Sequence, residues 1–139
     1  MLRVVLDVNV VVSALLAPLG PPGRVLDAAL RGRLGVVGCP RWALEVVEVA
    51  ARPKFEGRLR AERQAALVAL RAAADMRQEP AAVAAVTGDP DDDYLVALAL
   101  DAGCDAIVSG DRHLLALAGP PAVWTPRELL ARLGAAAGR

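Results

Sequence analysis

The chain has 139 residues, 55% of them hydrophobic, and its 16 basic and 16 acidic residues cancel to a formal net charge of zero. This composition, with a mean hydropathy of +0.40, excludes a disordered chain and fits one compact domain over residues 1–139. No apolar run approaches the roughly 18 residues that a membrane helix needs, and residues 1–4 enter a strand pattern without the layout of a signal peptide. We therefore expect a cytoplasmic protein with no membrane association.

Strand-like apolar runs alternate with helical patterns along the chain, which predicts βαβ units and a parallel sheet. In chain order, the predicted strands cover residues 2–6, 34–38, 105–109 and 122–124, with a weaker candidate near 76–86 that lacks clean alternation. The predicted helices cover residues 9–17, 23–32, 40–51, 60–75, 91–102, 112–118 and 127–133. The small-residue tail from 134 to 139 is expected to fray.

The charges are distributed unevenly. Residues 89–111 hold seven acids and no Lys or Arg, whereas residues 52–77 hold seven bases against three acids. An acidic pocket beside a basic segment suits a metal site that must also hold a polyanion. For the basic segment, a solvated helix face is an equally good interpretation. The candidate polyanion contacts are Arg52, Lys54, Arg58, Arg60 and Arg63.

Two candidate acids follow predicted buried strands. Asp7 ends the apolar run at 4–6, and Asp111 follows the run at 106–108. In open parallel sheets, ligands bind beyond the carboxyl ends of the strands, so we expect both side chains at one edge. Either acid could instead only cap the helix that follows it. His113 is a possible general base, but a lone His near a helix start is more often a surface residue.

Two further candidates lie on predicted helices. Glu45 is on the polar face of its helix, and no base follows it four residues later. Spacing alone leaves Glu45 open between a surface charge and a ligand. The run at 89–93 has four acids in five residues, which exceeds what a helix cap requires. Asp92 is the candidate within that run.

Carboxylates that converge on one pocket repel each other unless a cation lies between them. The four candidate ligands are Asp7, Glu45, Asp92 and Asp111. Oxygen ligands suit Mg²⁺ or Mn²⁺, so these residues indicate metal-assisted cleavage of a phosphodiester. Cys39 and Cys104 show no metal-ligand spacing, a single His excludes a His-rich zinc site, and the sequence contains no P-loop or dinucleotide-binding Gly motif.

Several segments together resemble the PIN-domain family, whose bacterial members include VapC-type toxin ribonucleases of toxin–antitoxin pairs. Each motif is weak by itself, but they occur in order at family-like intervals over nearly the whole chain. The segments are Val4-Val5-Leu6-Asp7-Val8-Asn9-Val10, Leu44-Glu45-Val46 followed by Ala51-Arg52-Pro53-Lys54-Phe55, Asp89-Pro90-Asp91-Asp92-Asp93, Val108-Ser109-Gly110-Asp111-Arg112, and Thr125-Pro126-Arg127-Glu128-Leu129.

The resemblance implies a three-layer α/β/α sandwich with a central, mostly parallel sheet of about five strands. It implies that the four acids surround one or two divalent metal ions, with Asn9 and Ser13 supporting the first acid. Asp92 is placed as the third ligand, and Asp93 is its rival. The sequence departs from the family pattern at His113, where another acid is frequent, but no core carboxylate is missing.

The resemblance also implies a metal-dependent ribonuclease that cleaves RNA through metal-activated water. It would be the toxin of a toxin–antitoxin pair, with a cognate antitoxin as partner, and a homodimer or higher oligomer. The alternative is a non-catalytic nucleic-acid- or partner-binding module, which the presence of all four acids disfavours. A phosphohydrolase or receiver domain phosphorylated on Asp7 would need a Lys after a later strand, and the only Lys is Lys54.

Overall fold

The computed structural model describes residues 1–52 and 61–137. Within them, the strands are β1 (Arg3–Leu6), β2 (Gly35–Gly38), β3 (Asp75–Met76), β4 (Ala106–Val108) and β5 (Ala122–Trp124). The helices are α1 (Val8–Leu16), α2 (Pro21–Leu30), α3 (Pro40–Ala50), α4 (Ala61–Ala73), α5 (Pro90–Asp101), α6 (Arg112–Leu115) and α7 (Pro126–Ala137). Strands and helices alternate along most of the chain, as βαβ units require.

The five strands form one parallel sheet in the order β3-β2-β1-β4-β5. The central strands β1 and β4 are apolar and almost completely buried, which is typical of strands covered on both faces. Helix α5 packs on β1 and β4, whereas α1 to α4 pack against one another. The predicted α/β class and the five-stranded parallel sheet are therefore confirmed.

The predicted elements differ from the observed ones mainly at their ends. The weak fifth strand is only Asp75–Met76, paired with β2, and residues 77–89 after it form no regular element. Helix α2 begins at Pro21 rather than at residue 23, because Pro is well tolerated in the first turn of a helix. Helix α6 ends at Leu115 rather than at residue 118, and α7 continues from residue 133 to Ala137.

Helices α1 and α2 place most of their apolar side chains in the core, among them Val11, Leu15 and Val25. In the ranges that the structure describes, no single helix is long and apolar enough to cross a membrane. Only α1 and α2 taken together, across a bend of 100°, pass that test of length and composition.

Trp42 joins α3 to the carboxyl end of β1. Its buried indole N–H donates a 2.8 Å hydrogen bond to the carbonyl of Leu6. Gly38, the last residue of β2, leaves room for the ring, since a Cβ there would lie 2.5 Å from a ring carbon of Trp42. This contact holds the helix that carries Glu45 beside the strand that leads into Asp7.

Candidate functional site

Two neighbouring strands end at the same edge of the sheet. In the parallel register of β1 and β4, Leu6 is paired with Val108, and the backbone N–H of Asp7 donates to the carbonyl of Val108 at 2.9 Å. The residues that follow both strands therefore begin side by side. This is the physical reason why Asp7 and Asp111, 104 positions apart, reach one cleft.

Asp7 is a buried carboxylate with two internal hydrogen bonds. One oxygen, Oδ1, accepts the backbone N–H of Asn9 at 3.1 Å, which caps α1, and Oδ2 accepts the hydroxyl of Ser109 at 2.7 Å. Burial raises the pKa of Asp7 and nearby Asp111 adds to the rise, whereas the two hydrogen bonds lower it without cancelling the burial. Asp7 does cap α1, but one cap bond leaves its carboxylate further acceptor capacity, so the cap does not decide between capping alone and a role as a ligand.

Ser109 connects the two acids at the sheet edge. Its fully buried hydroxyl donates to Asp7 and accepts the backbone N–H of Asp111 at 3.0 Å. Asp111 in turn caps α6 by accepting the backbone N–H of His113 at 2.7 Å. No role for Ser109 was predicted from the sequence. The available signal was a hydroxyl residue placed directly after a buried strand and two positions before a candidate acid.

The acids at the start of α5 have different roles. Asp89 is the N-cap and accepts the backbone N–H of Asp91 at 2.9 Å. Asp92, in the first turn, is half-buried, and its pKa is raised to about 6, first by burial and then by the charges of Asp7, Asp111, Asp89 and Asp91. Asp92 thus shares an electrostatic environment with the two acids of the sheet edge.

The carboxylate of Asp93 binds the loop before α5. Its Oδ1 accepts the backbone N–H groups of Val86 and Thr87 at 3.2 and 2.8 Å and the hydroxyl of Thr87 at 2.6 Å. These bonds lower the pKa of Asp93. Adjacent residues on a helix are about 100° apart. Asp92 therefore points away from Asp93 and is influenced by the charges of Asp7 and Asp111, while Asp93 holds the loop that precedes α5.

Glu45 lies on the neighbouring helix and has two partners of its own. Its carboxylate accepts the guanidinium of Arg41 and the hydroxyl of Tyr94, each at 3.0 Å. Arg41 also pairs with Asp91 at 3.0 Å and stacks over the ring of Tyr94. The prediction from spacing rested on the absence of a base after Glu45, and it missed Arg41, the base one helical turn before it. The role of Glu45 as a metal ligand stays a prediction.

A cleft of about 570 Å³ opens at the sheet edge. Its lining comprises Asp7, Asn9, Val10, Ser13, Pro21, Pro22, Gly110, Asp111, Thr125, Pro126 and Arg127. Asn9 and Ser13 are exposed and line the same cleft as Asp7. Their role in supporting Asp7 stays a prediction. The motif that contains Arg127 did not predict the position of this side chain in the cleft.

The predicted basic segment is only partly within the described residues. Lys54, Arg58 and Arg60 lie outside them. Arg52 is exposed after the end of α3, and Arg63 donates a hydrogen bond from its guanidinium to the carbonyl of Leu16 at 3.3 Å. Their contact with a polyanion stays a prediction.

The donor set at the sheet edge suits a hard divalent cation. Asp7, Asp92 and Asp111 carry oxygen ligands. Burial, and after it the charges of neighbouring acids, raises the pKa values of Asp7 and Asp92. In the described part of the chain, no three carboxylate, imidazole or thiol groups are close enough to hold an ion as they stand. The residues fit such an ion in donor chemistry, and Asp7 and Asp111 lie where ligands bind, beyond the carboxyl ends of parallel strands.

Comparison with known proteins identifies the family and the fold. The family model described as PIN domain matches residues 3–113, a range that includes all four candidate acids. Among solved structures, the fold is similar to the crystal structure of PAE2754 from Pyrobaculum aerophilum. The two have a TM-score of 0.68 and 20% identity, over 96% of this chain and 90% of that one. No curated protein sequence matches the chain. Because the family model covers well over half of its length, the chain belongs to the PIN domain family.

Proposed function

We propose that the protein is a metal-dependent endoribonuclease that uses Mg²⁺ or Mn²⁺. PIN domains are typically nucleases, and they generally use divalent metal ions. The observation that carries the proposal is that Asp7 and Asp111 line one cleft at the edge of the sheet. The pKa of Asp92 is raised first by burial and then by repulsion from both of these acids. A cation at this edge would relieve that repulsion.

The residues of the site would have different roles toward the metal ion and the substrate. Asp7, Asp92 and Asp111 would hold the metal, with Glu45 as a fourth ligand if it exchanges Arg41 for the ion. Ser109 would orient Asp7 through its hydroxyl, and Asn9 and Ser13 would face the substrate side of the cleft. A bound Mg²⁺ or Mn²⁺ would orient a water, lower its pKa and stabilise charge in the transition state.

Substrate and partners belong to the same proposal. We take RNA as the substrate, with Arg52, Lys54, Arg58, Arg60 and Arg63 as contacts to its backbone. The resemblance to VapC-type toxins supports a role as the toxin of a toxin–antitoxin pair, in the cytoplasm, under the control of a cognate antitoxin. A small neighbouring gene with a DNA-binding N-terminus would support that pairing.

The test is cleavage of RNA by the purified chain in Mn²⁺, in Mg²⁺ and in EDTA. We expect cleavage with either metal and none in EDTA, and Asp7→Asn should abolish it. Asp101→Asn is the control, because Asp101 is an exposed acid at the far end of α5. Calorimetric titration with Mn²⁺ should show that Asp7→Asn weakens binding.

Two outcomes would contradict the proposal. One is equal Mn²⁺ affinity in the wild type and Asp7→Asn, which would contradict the proposed metal site. The other is metal binding without cleavage of RNA, which would favour the alternative of a non-catalytic nucleic-acid- or partner-binding module.

A further inference from the structure

We infer that Arg127 is a substrate-positioning residue that binds a phosphate group of the nucleic acid in the acidic cleft. The inference rests on the proposed function, since it assigns a substrate contact to the same cleft. It concerns a cation that lines the same cleft as Asp7 and Asp111, outside both the proposed metal ligands and the basic segment at residues 52–63.

Arg127 reaches the cleft for the same reason as Asp7 and Asp111: it follows a parallel strand that ends at this edge of the sheet. Strand β5 runs parallel to β4 and pairs with it, with Trp124 opposite Val108, so the residues after β5 emerge at the sheet edge that carries Asp111. The first turn of α7 is then fixed by a reciprocal cap. Thr125 Oγ1 accepts the backbone N–H of Glu128 at 3.1 Å, and Glu128 Oε1 accepts that of Thr125 at 3.3 Å.

The same cap also affects which carboxylates can pair with Arg127. Glu128, the acid next to it in sequence, is engaged with the backbone of Thr125. Asp7 and Asp111 line the same cleft as Arg127, yet within the described residues none of the ion pairs includes Arg127. Arg127 is exposed and lines one cleft with these two acids without forming an ion pair with them.

A phosphate fits that space better than any other common group of a nucleic acid. Its negative charge would be repelled by the bare acids, but a guanidinium can take two of its oxygens through parallel N–H donors. The described cleft lining contains no aromatic ring, so it offers no platform for base stacking. Contacts to phosphate position a strand without reading its sequence, and we therefore expect this subsite to tolerate any base.

The experiment measures the affinity for single-stranded RNA across a series of salt concentrations, with Ca²⁺ in place of Mn²⁺ to limit turnover. Arg127→Ala should weaken binding by about 10-fold or more, as expected for a lost charge-assisted contact. It should also flatten the salt dependence by about 0.7 in the log–log slope. Arg127→Lys should restore part of the affinity, and the loss should be similar for RNAs of different sequence.

A matched control and two further readouts separate this role from a structural one. Arg132→Ala removes the same charge from the same helix, but Arg132 stacks on Trp124 instead of lining the cleft. It should leave RNA affinity unchanged. Arg127→Ala should leave Mn²⁺ affinity undiminished and melting unchanged, because a cation near a helix N-terminus does not stabilise the helix. In cleavage assays its KM should rise more than its kcat falls.

Failure of this inference is distinguishable from failure of the proposed function. Unchanged RNA affinity and salt slope in Arg127→Ala, or an equal loss in Arg132→Ala, would overturn the inference even if the wild type cleaves RNA. If the wild type binds RNA through Arg127 but does not cleave it with either metal, the phosphate contact stands and the catalytic proposal falls.

Discussion

At the scale of single residues, the hydroxyl of Ser109 links the two acids of the sheet edge. Ser109→Ala would leave Asp7 buried with one hydrogen bond fewer and would leave the backbone N–H of Asp111 without its acceptor. Loss of a group that orients a ligand typically lowers metal affinity or activity by about 10- to 100-fold. We expect that loss in Mn²⁺ titrations of Ser109→Ala. Ser13→Ala should lower the Mn²⁺ affinity less than Ser109→Ala does, because Ser13 lines the cleft but lies outside this hydrogen-bond network.

Substitution by Asn should affect RNA cleavage at Asp92 and thermal stability at its neighbour Asp93. Asp92→Asn should reduce RNA cleavage by more than the roughly 100-fold expected of an outer partner, because Asp92 shares the charge environment of Asp7 and Asp111. Asp93→Asn should keep most of the activity but lower the melting temperature, because three donors around Thr87 lose a charged acceptor. The reverse pattern in cleavage assays would identify Asp93 as the ligand.

The raised pKa of Asp92 predicts how the metal-free protein depends on pH. Its pKa is about 6 in the folded state against 3.8 ordinarily, so the folded state binds more protons between these values. Stability contributed by this group is therefore lost as the pH rises from about 4 to about 6. In EDTA, Asp92→Asn should melt at a higher temperature than the wild type at pH 8. This difference in melting temperature should vanish near pH 4. A difference that does not change with pH would show that the raised pKa of Asp92 is not its cause.

At the scale of elements, the contact between β2 and α3 sets the position of the helix that carries Glu45. In Gly38→Ala the new Cβ would lie 2.5 Å from one ring carbon of Trp42 and 3.2 Å from the sulfur of Met76. The ring cannot move freely because its N–H is bonded to the carbonyl of Leu6. We expect a loss of about 1–3 kcal/mol in the free energy of unfolding, measured by urea denaturation.

The helix α7 offers a matched control for that substitution. A Cβ at Gly134 would meet nothing within 4 Å, and Ala is favoured over Gly inside a helix by roughly 0.5–1 kcal/mol. Gly134→Ala should therefore stabilise the protein slightly. Equal effects of the two substitutions would mean that Gly38 is not required for the packing of Trp42.

At the scale of the whole molecule, an apolar groove of about 500 Å³ lies between α3 and α4. Val47 and Val68 line it, and their side chains are 55% and 70% exposed. Exposed apolar patches of this kind often mark interfaces, so we predict that the protein forms a homodimer or higher oligomer through this groove. Light scattering should give a mass above the 14.4 kDa of one chain.

Val68→Glu should shift that mass toward the monomer by placing a charge in the groove. Leu19→Glu is the control, since Leu19 is 93% exposed and lies between α1 and α2. It should leave the mass unchanged. A wild-type monomer at high protein concentration would contradict the prediction.

The sequence by itself determined the fold class and the position of the sheet edge. Buried parallel strands produce continuous apolar runs, and such runs at 4–6 and 106–108 are visible without a structure. The acids that follow them, Asp7 and Asp111, could be assigned to one edge because parallel strands end together. The short strand β3 was poorly predicted because two residues are too few to establish an alternating pattern.

Only the tertiary structure decided what each polar group contacts. The hydroxyl of Ser109 and the carboxylate of Asp7 are 102 positions apart, and the hydroxyl of Tyr94 reaches Glu45 across 49 positions. Spacing along a chain orders residues on one helix or strand, but it carries no information on which side chains of different elements meet. The environment of Asp92, and hence its raised pKa, arises from such meetings and from burial, which exist only in the folded chain.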